Sequence, residues 1–360
     1  MNVLSSEIDH QPAILSVATS TPAQRYSQEQ IYDLACTHSE FYRSHRIREI
    51  FMNSDIAFRH LYLDANALAS LETTDQMHKR YQIGAVEIGK KAIQKCIAES
   101  GLTADEIDYV IAVSCTGYLC PGLSSIYIKE LGLRNNVQRA DLIGMGCAGA
   151  MPGLQRAYDF VKAYPEKKAL VVAVEICSAC YYLDDSLETV VGNAICGDGA
   201  AAVLVGLSAA NTVPKIVGFE SFLEPAYIDT VGFEQREGKL RIILSKDIRD
   251  LAGGLSCQLV DQILRRFNVG KDQVAHWILH SGGRKVIDGV RQAIGLTADQ
   301  VHHSKYVLSN FGNMSSPTVL FVLNQALHHS NGTGVPRPDD LGIMLALGPG
   351  LAVEGALLKW

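Results

Sequence analysis

Three residues have side chains that could together run acyl chemistry on a thioester. They are Cys147 in Gly-Met-Gly-Cys-Ala-Gly-Ala, His280 in His-Ser-Gly-Gly, and Asn313 in Phe-Gly-Asn-Met-Ser-Ser. A thiolate is a strong nucleophile, and a helix N-terminus favours it because the first N–H groups there are unpaired. Cys147 stands between an apolar segment and a stretch with Leu154, Tyr158 and Val161 at helical spacing, so it reads as such a position. Its neighbours Gly146, Ala148 and Gly149 leave room for a bulky acyl group. His280 closes an apolar run and can hold the thiolate as an ion pair. An imidazole and the Asn313 amide converging on one point would make an oxyanion site for an enolate. Each residue also has a plain structural reading: a buried cysteine, a core histidine like nearby His276, and a helix N-cap asparagine.

The elements that must bring these residues together form a repeated α/β pattern. Candidate strands are Ala13–Ala18, Tyr109–Val113, Leu170–Val174, Ala200–Gly206, Trp277–Leu279 and Ile343–Leu347. Most are apolar at consecutive positions, as expected of strands covered by helices on both faces. The stretch from Val86 carries Val86, Lys90, Ile93 and Ile97 at helical spacing, with Gly101 to end the helix. Thr103 and Glu106 then form a capping-box pattern.

Three segments recur in order. The stretch from Tyr109 is echoed from His276, the stretch holding Cys147 is echoed around Asn313, and the stretch from Gly197 is echoed from Gly348. Such an echo predicts a duplicated unit, with an N-terminal half at 1–212 carrying the cysteine and a C-terminal half at 213–360 carrying His280 and Asn313. Packed about a pseudo-twofold axis, the halves would aim all three residues, each at a strand-to-helix loop, into one cleft.

Composition narrows the class. With 48% apolar and 19% charged residues the 360-residue chain is globular, and a net charge of −6 without a dense basic run gives no sign of a nucleic-acid or anionic-membrane surface. The opening residues resemble no signal peptide, and no apolar run is long enough to span a bilayer. Nine cysteines, an odd number, read as reduced thiols in the cytoplasm. Gly144-x-Gly146-x-x-Gly149 matches a dinucleotide fingerprint but lacks the acidic residue that ribose recognition needs. Cys177-x-x-Cys180 has no second pair for zinc, and no metal is expected. The histidine pairs at 302–303 and 328–329 read as polar surface. Asn331-Gly-Thr333 would be a glycosylation acceptor only in a secreted chain.

The segments GMGCAGA, HSGGRKVIDGV, LSNFGNMSSPTVLF and LGPGLAVEGALL resemble, in order and spacing, those of type III polyketide synthases. The resemblance implies a thiolase-like five-layer αβαβα fold. It also implies that Cys147 carries the acyl chain while His280 and Asn313 drive malonyl decarboxylation, with CoA thioesters as substrates and no other cofactor. Within the family, CTGYLCPGLSS, REIFMNSDI and HSGGRKVID resemble bacterial 3,5-dihydroxyphenylacetyl-CoA synthases, which use malonyl-CoA alone. The alternatives are a synthase primed by another acyl-CoA, making an alkylresorcinol, pyrone or naphthalene product, and a ketoacyl synthase III-type enzyme.

The same resemblance implies that Cys115, Thr116, Cys120, Cys177, Cys180, Cys196, Ile242, Ser315 and the Gly348-Pro349-Gly350 loop line the cavity. Cys196 stands at a gatekeeper position just before the Gly-Asp-Gly segment, where the family usually has phenylalanine, and Ile242 stands at a second gatekeeper position. CoA would be met by Arg46, Arg48, Gly282, Gly283 and Lys285, with Glu49 at a place the family gives to a base. A homodimer is implied, with Cys120 reaching the neighbouring subunit's cavity.

Overall fold

The computed structural model describes residues 11–63, 72–210, 212–236, 238–329 and 334–360. The Asn331–Thr333 motif and the first ten residues lie outside them. The main sheet is built from β1 (Pro12–Ser20), β4 (Tyr109–Val113), β5 (Gln138–Leu142), β6 (Ala169–Glu175), β7 (Gly199–Leu207), β8 (Lys215–Leu223), β11 (Val274–Leu279), β12 (Leu341–Gly348) and β13 (Ala352–Lys359). Two short ribbons accompany it, β2 (Arg25–Ser27) with β3 (Phe58–His60) and β9 (Val231–Arg236) with β10 (Lys239–Leu244). Every strand expected from the apolar runs lies inside one of these elements.

Strand order is β11-β12-β13-β8-β1-β7-β6-β4-β5. The seam between β8 and β1 is a single pair, Ala13 with Lys215, supported by Ile14 N–H donating to the Pro214 carbonyl at 2.9 Å. On either side of that seam the connections repeat. In the first half β4 and β6 are parallel, and β6–β7 and β7–β1 antiparallel. In the second β11 and β12 are parallel, and β12–β13 and β13–β8 antiparallel. The first half adds β5, parallel to β4.

Alternation of side chains divides the core into layers. Ala169, Val171 and Ala173 of β6, with Met344 and Ala346 of β12, pack against the central helices Ala150–Ala163 and Thr318–His328. Leu170, Val172 and Val174 face outward, onto the helix Thr74–Ser100. Ile343, Leu345 and Leu347 face the helices Ile248–Phe267 and Arg284–Ile294 on the opposite side. The result is helix, sheet, helix, sheet, helix, the five-layer arrangement expected. Each fully buried aliphatic side chain contributes about 1.5–3 kcal/mol.

Two expectations change. Asn313 does not follow a strand, because the preceding segment is the helix His302–Phe311. Val301, Ser304, Val307 and Leu308 are buried at helical spacing there, so the echo of the Cys147 segment preserves the turn and not the strand. His303, expected on the surface, is only 8% exposed.

Candidate active site

The three chemical residues reach one cavity by different routes. Cys147 sits in a single 3-10 turn, Gly146–Ala148, leading into the helix Ala150–Ala163. Gly146 has φ +51°, and a Cβ there would lie 2.3 Å from Pro349. Only glycine lets the Gly348–Pro349 turn approach the Cys147 turn this closely. His280 follows β11, its N–H bonded to the Leu345 carbonyl at 2.9 Å. Asn313 is pinned by Ser315 N–H, which donates to its Oδ1 at 2.8 Å, leaving Nδ2 to point at the Gly282 carbonyl at 3.3 Å. Gly282 also abuts the imidazole, since a Cβ on it would stand 3.4 Å from His280 Nε2. The amide and imidazole therefore converge beside one glycine.

Ser315 and the Asn313 side chain both hydrogen-bond the Cys147 thiol, favouring its charged form. Ser315 holds φ +59°, a left-handed conformation costly for a side-chain-bearing residue. Its hydroxyl also lies 3.3 Å from Cys115 Sγ. Burial works the other way and is the larger effect. It pushes the Cys147 thiol up to about 12 and the His280 imidazole down to about 4. Charge on either group alone is disfavoured in this cavity. The His280 Nδ1 is buried and has no hydrogen-bond partner among the described residues.

Cys147, His280 and Asn313 line a cavity of about 830 Å³. Against this geometry stand the comparisons with known proteins. Residues 5–209 match the N-terminal domain of chalcone and stilbene synthases, and residues 225–360 match the C-terminal domain. The chain is 32% identical to a 3,5-dihydroxyphenylacetyl-CoA synthase of Streptomyces toyocaensis, over 97% of this chain and 90% of the relative. It is 29% identical to a 1,3,6,8-tetrahydroxynaphthalene synthase of Streptomyces peucetius subsp. caesius, over 98% of this chain and 94% of that one. The crystal structure of the Streptomyces coelicolor A3(2) tetrahydroxynaphthalene synthase superposes with a TM-score of 0.89 at 25% identity, covering 97% and 99% of the two chains. The chain belongs to the chalcone and stilbene synthase family, the type III polyketide synthases.

As a type III polyketide synthase it is an acyltransferase-type condensing enzyme, and its cavity sorts the residues the sequence singled out. Cys177, Cys180, Cys196, Ile242, Ser315, Gly348 and Pro349 line it, as do Arg46, Gly282, Gly283 and Lys285. Five others do not. Arg48 is two residues from Arg46 on the helix His45–Met52, so it turns away while Arg46, Glu49, Ile50 and Asn53 share the cavity face. Cys115 lies behind the site against Ser315. Thr116 points inward, its hydroxyl donating to Glu175 at 2.7 Å. Cys120 is exposed on the surface, and Gly350, at φ +107°, falls beyond the lining in the β12–β13 turn.

Two features escaped the sequence reading. Lys246 and Arg284 join Arg46 and Lys285 on the lining. Glu175 is fully buried at the end of β6. Its carboxylate accepts from Ser114 Oγ at 3.2 Å, Cys115 N–H at 3.0 Å, Thr116 N–H at 3.0 Å and Ser316 Oγ at 2.5 Å, besides Thr116 Oγ1. Burial raises its pKa while these donors pull it down. The signal was present: a glutamate closing the otherwise wholly apolar run Ala169–Val174. Among the described residues, no group of three His, Cys, Asp or Glu side chains could hold a metal, and no helix is long and apolar enough to cross a membrane.

Proposed function

We propose that the chain builds a small aromatic product by repeated decarboxylative condensation of malonyl-CoA, with Cys147, His280 and Asn313 as its catalytic residues and no cofactor beyond the CoA thioesters. The observation carrying this reading is the convergence of the three side chains on one cavity of about 830 Å³. Cys147 sulfur attacks the acyl thioester as its proton passes to His280, and CoA thiolate departs. This proton transfer answers the burial that disfavours charge on either group alone, because the two charges appear together. Malonyl-CoA then loses CO₂. The electrons of the broken C–C bond become an enolate, whose oxygen is held by Asn313 Nδ2 and the His280 imidazole. The enolate carbon attacks the Cys147 thioester, the thiolate leaves, and the lengthened chain reloads.

The product class is a 3,5-dihydroxyphenylacetyl-type thioester or acid, on the similarity to the synthases of that name in Streptomyces toyocaensis and Amycolatopsis balhimycina. Mass spectrometry of the products from malonyl-CoA with no other starter tests it. A dihydroxyphenylacetyl mass supports the reading, and turnover only with a long-chain or aromatic acyl-CoA rejects it. That second outcome is favoured by Cys196 and Ile242 on the cavity wall, small side chains that leave space for a longer starter. Arg46, Lys246, Arg284 and Lys285 supply the positive charge for the CoA phosphates.

The chain divides into halves at 1–212 and 213–360, an assignment supported by the repeated strand connections on either side of the β1–β8 seam. We assign the protein to the cytoplasm, where its nine unbridged thiols are chemically at home. It works as a homodimer. Support comes from β5, a sheet edge with no further strand beside it among the described residues, and from Ile143 and Tyr118, 57% and 64% exposed, with Cys120 also exposed. Sedimentation at micromolar concentration that gave a 39.1 kDa monomer would reject the dimer.

A further inference from the structure

Five of the nine cysteines crowd around the site, but only two are set against each other. Cys177, in the 3-10 turn Cys177–Cys180, and Cys196, which ends the helix Leu187–Ile195, both line the cavity. Their side chains are hydrogen-bonded to each other. The backbone at Cys196 is held firmly. Its N–H donates to the Gly192 carbonyl at 2.9 Å, and its carbonyl accepts from Arg59 Nη1 at 2.7 Å and from the Tyr181 hydroxyl.

Arg59 supplies the second observation. It is fully buried, yet among the described residues no carboxylate forms an ion pair with it. Nη1 is used by Cys196, Asn193 and Tyr181, while Nε and Nη2 have no partner. A buried guanidinium without a counter-ion is costly unless an anion can form beside it. The Cys177 thiol, followed by Arg59, lowers the pKa of Cys196, whereas burial raises those of Cys147, Cys180 and Cys115. Cys196 therefore has a buried cation beside it, and Cys177 is hydrogen-bonded to its side chain.

We propose that Cys177 and Cys196 are an oxidative modification site, where a peroxide converts the facing thiols into a disulfide in the cavity wall. The Cys196 thiolate attacks one peroxide oxygen, the O–O bond breaks, and a sulfenic acid and hydroxide form. Cys177 sulfur then attacks Cys196 sulfur. The S–S bond forms, the S–O bond breaks, and the departing hydroxide takes up the Cys177 proton as water. Two thiols and one hydrogen peroxide give one disulfide and two waters, the two electrons passing from the sulfurs to the peroxide. The reaction needs nothing from the acyl chemistry, so it stands whether or not the product assignment does.

Reduced full-length protein treated with a modest excess of hydrogen peroxide tests it. Peptide mapping without reductant should give one cross-linked species joining the Cys177 and Cys196 peptides, two hydrogens lighter than their sum and cleaved by dithiothreitol. The denatured thiol count should fall from nine to seven. Cys147→Ala should retain the cross-link, while Cys177→Ser and Cys196→Ser should each lose it. Because the wild-type map stands alone, the test survives even if a variant fails to fold. Oxidation of Cys147 with Cys177 and Cys196 left as thiols would overturn the proposal, as would a cross-link between any other pair.

Discussion

Asn313 and Cys196 lie opposite one another in an isolated parallel bridge. Asn313 N–H donates to the carbonyl of Ile195 at 2.8 Å, and Gly197 N–H donates to the Asn313 carbonyl at 2.9 Å. The backbone that carries the Asn313 amide is thereby tied to the cavity-wall position at Cys196. Gly197 permits it, because a Cβ there would stand 2.2 Å from the Phe311 carbonyl. Changes at either residue should be felt at the other.

Asn313→Ala removes one donor from the enolate oxygen without removing the nucleophile. Malonyl decarboxylation should fall by about two to three orders of magnitude, the usual loss for one oxyanion donor. Acylation of Cys147, followed by intact-protein mass spectrometry, should persist. Failure of loading with decarboxylation preserved would reverse the role given to Asn313.

Cys196→Phe places an aromatic ring on the cavity wall. Steric discrimination in an apolar pocket is worth about 1–3 kcal/mol per methylene. Turnover with a long acyl-CoA starter, relative to turnover with malonyl-CoA alone, should therefore drop by at least about tenfold. Paired assays on the same preparation measure that ratio. A ratio that rose would show that Cys196 does not set the width of the chain's path.

Glu175→Gln keeps shape but replaces one acceptor oxygen by an NH₂ that must face donors from Ser114, Cys115, Thr116 or Ser316. Ser316 follows Ser315, which touches Cys147, so the carboxylate ties β6 to the turn that carries Asn313 and Ser315. Breaking a buried network of this kind costs on the order of 3 kcal/mol. Urea denaturation should show that loss. A change below about 0.5 kcal/mol would mean the donors find other partners.

Most of this frame could be read in advance because the information is local. Consecutive apolar residues marked β6 and β12, and the small residues around Cys147 marked a turn with room beside its sulfur. What escaped reading depends on contacts distant in sequence. Arg48 and Arg46 look alike until the helix phase is known, and Lys246 meets Arg46 on the cavity lining only once β9 and β10 fold over it. The resemblance placed Thr116 in the cavity, but Glu175, 59 residues away, claims its hydroxyl. The shifts of Cys147 and His280 away from their charged forms are likewise a product of burial, which composition does not reveal.

The two groups His303 and Glu354 should give pH effects of opposite sign. Burial lowers His303 from 6.5 to about 4, with His302, His276 and His329 adding repulsion, and leaves both of its nitrogens without a partner. Between those values the unfolded chain binds a proton that the folded chain refuses, so its contribution to stability is present above pH 6.5 and is lost as pH falls toward 4. Glu354, on β13, is raised by burial from 4.5 to about 7, against the attraction of Arg156. Here the folded chain holds the proton more tightly, and the contribution is present below pH 4.5 and lost as pH rises through 7. Each effect amounts to about 1 kcal/mol per pH unit across its window. Unfolding free energies should be measured in urea at pH 5 and pH 7.5 for wild type, His303→Gln and Glu354→Gln. Relative to wild type, His303→Gln should be the more favourable at pH 5 and Glu354→Gln the more favourable at pH 7.5. Differences independent of pH for both variants would mean that neither group titrates differently in the folded chain.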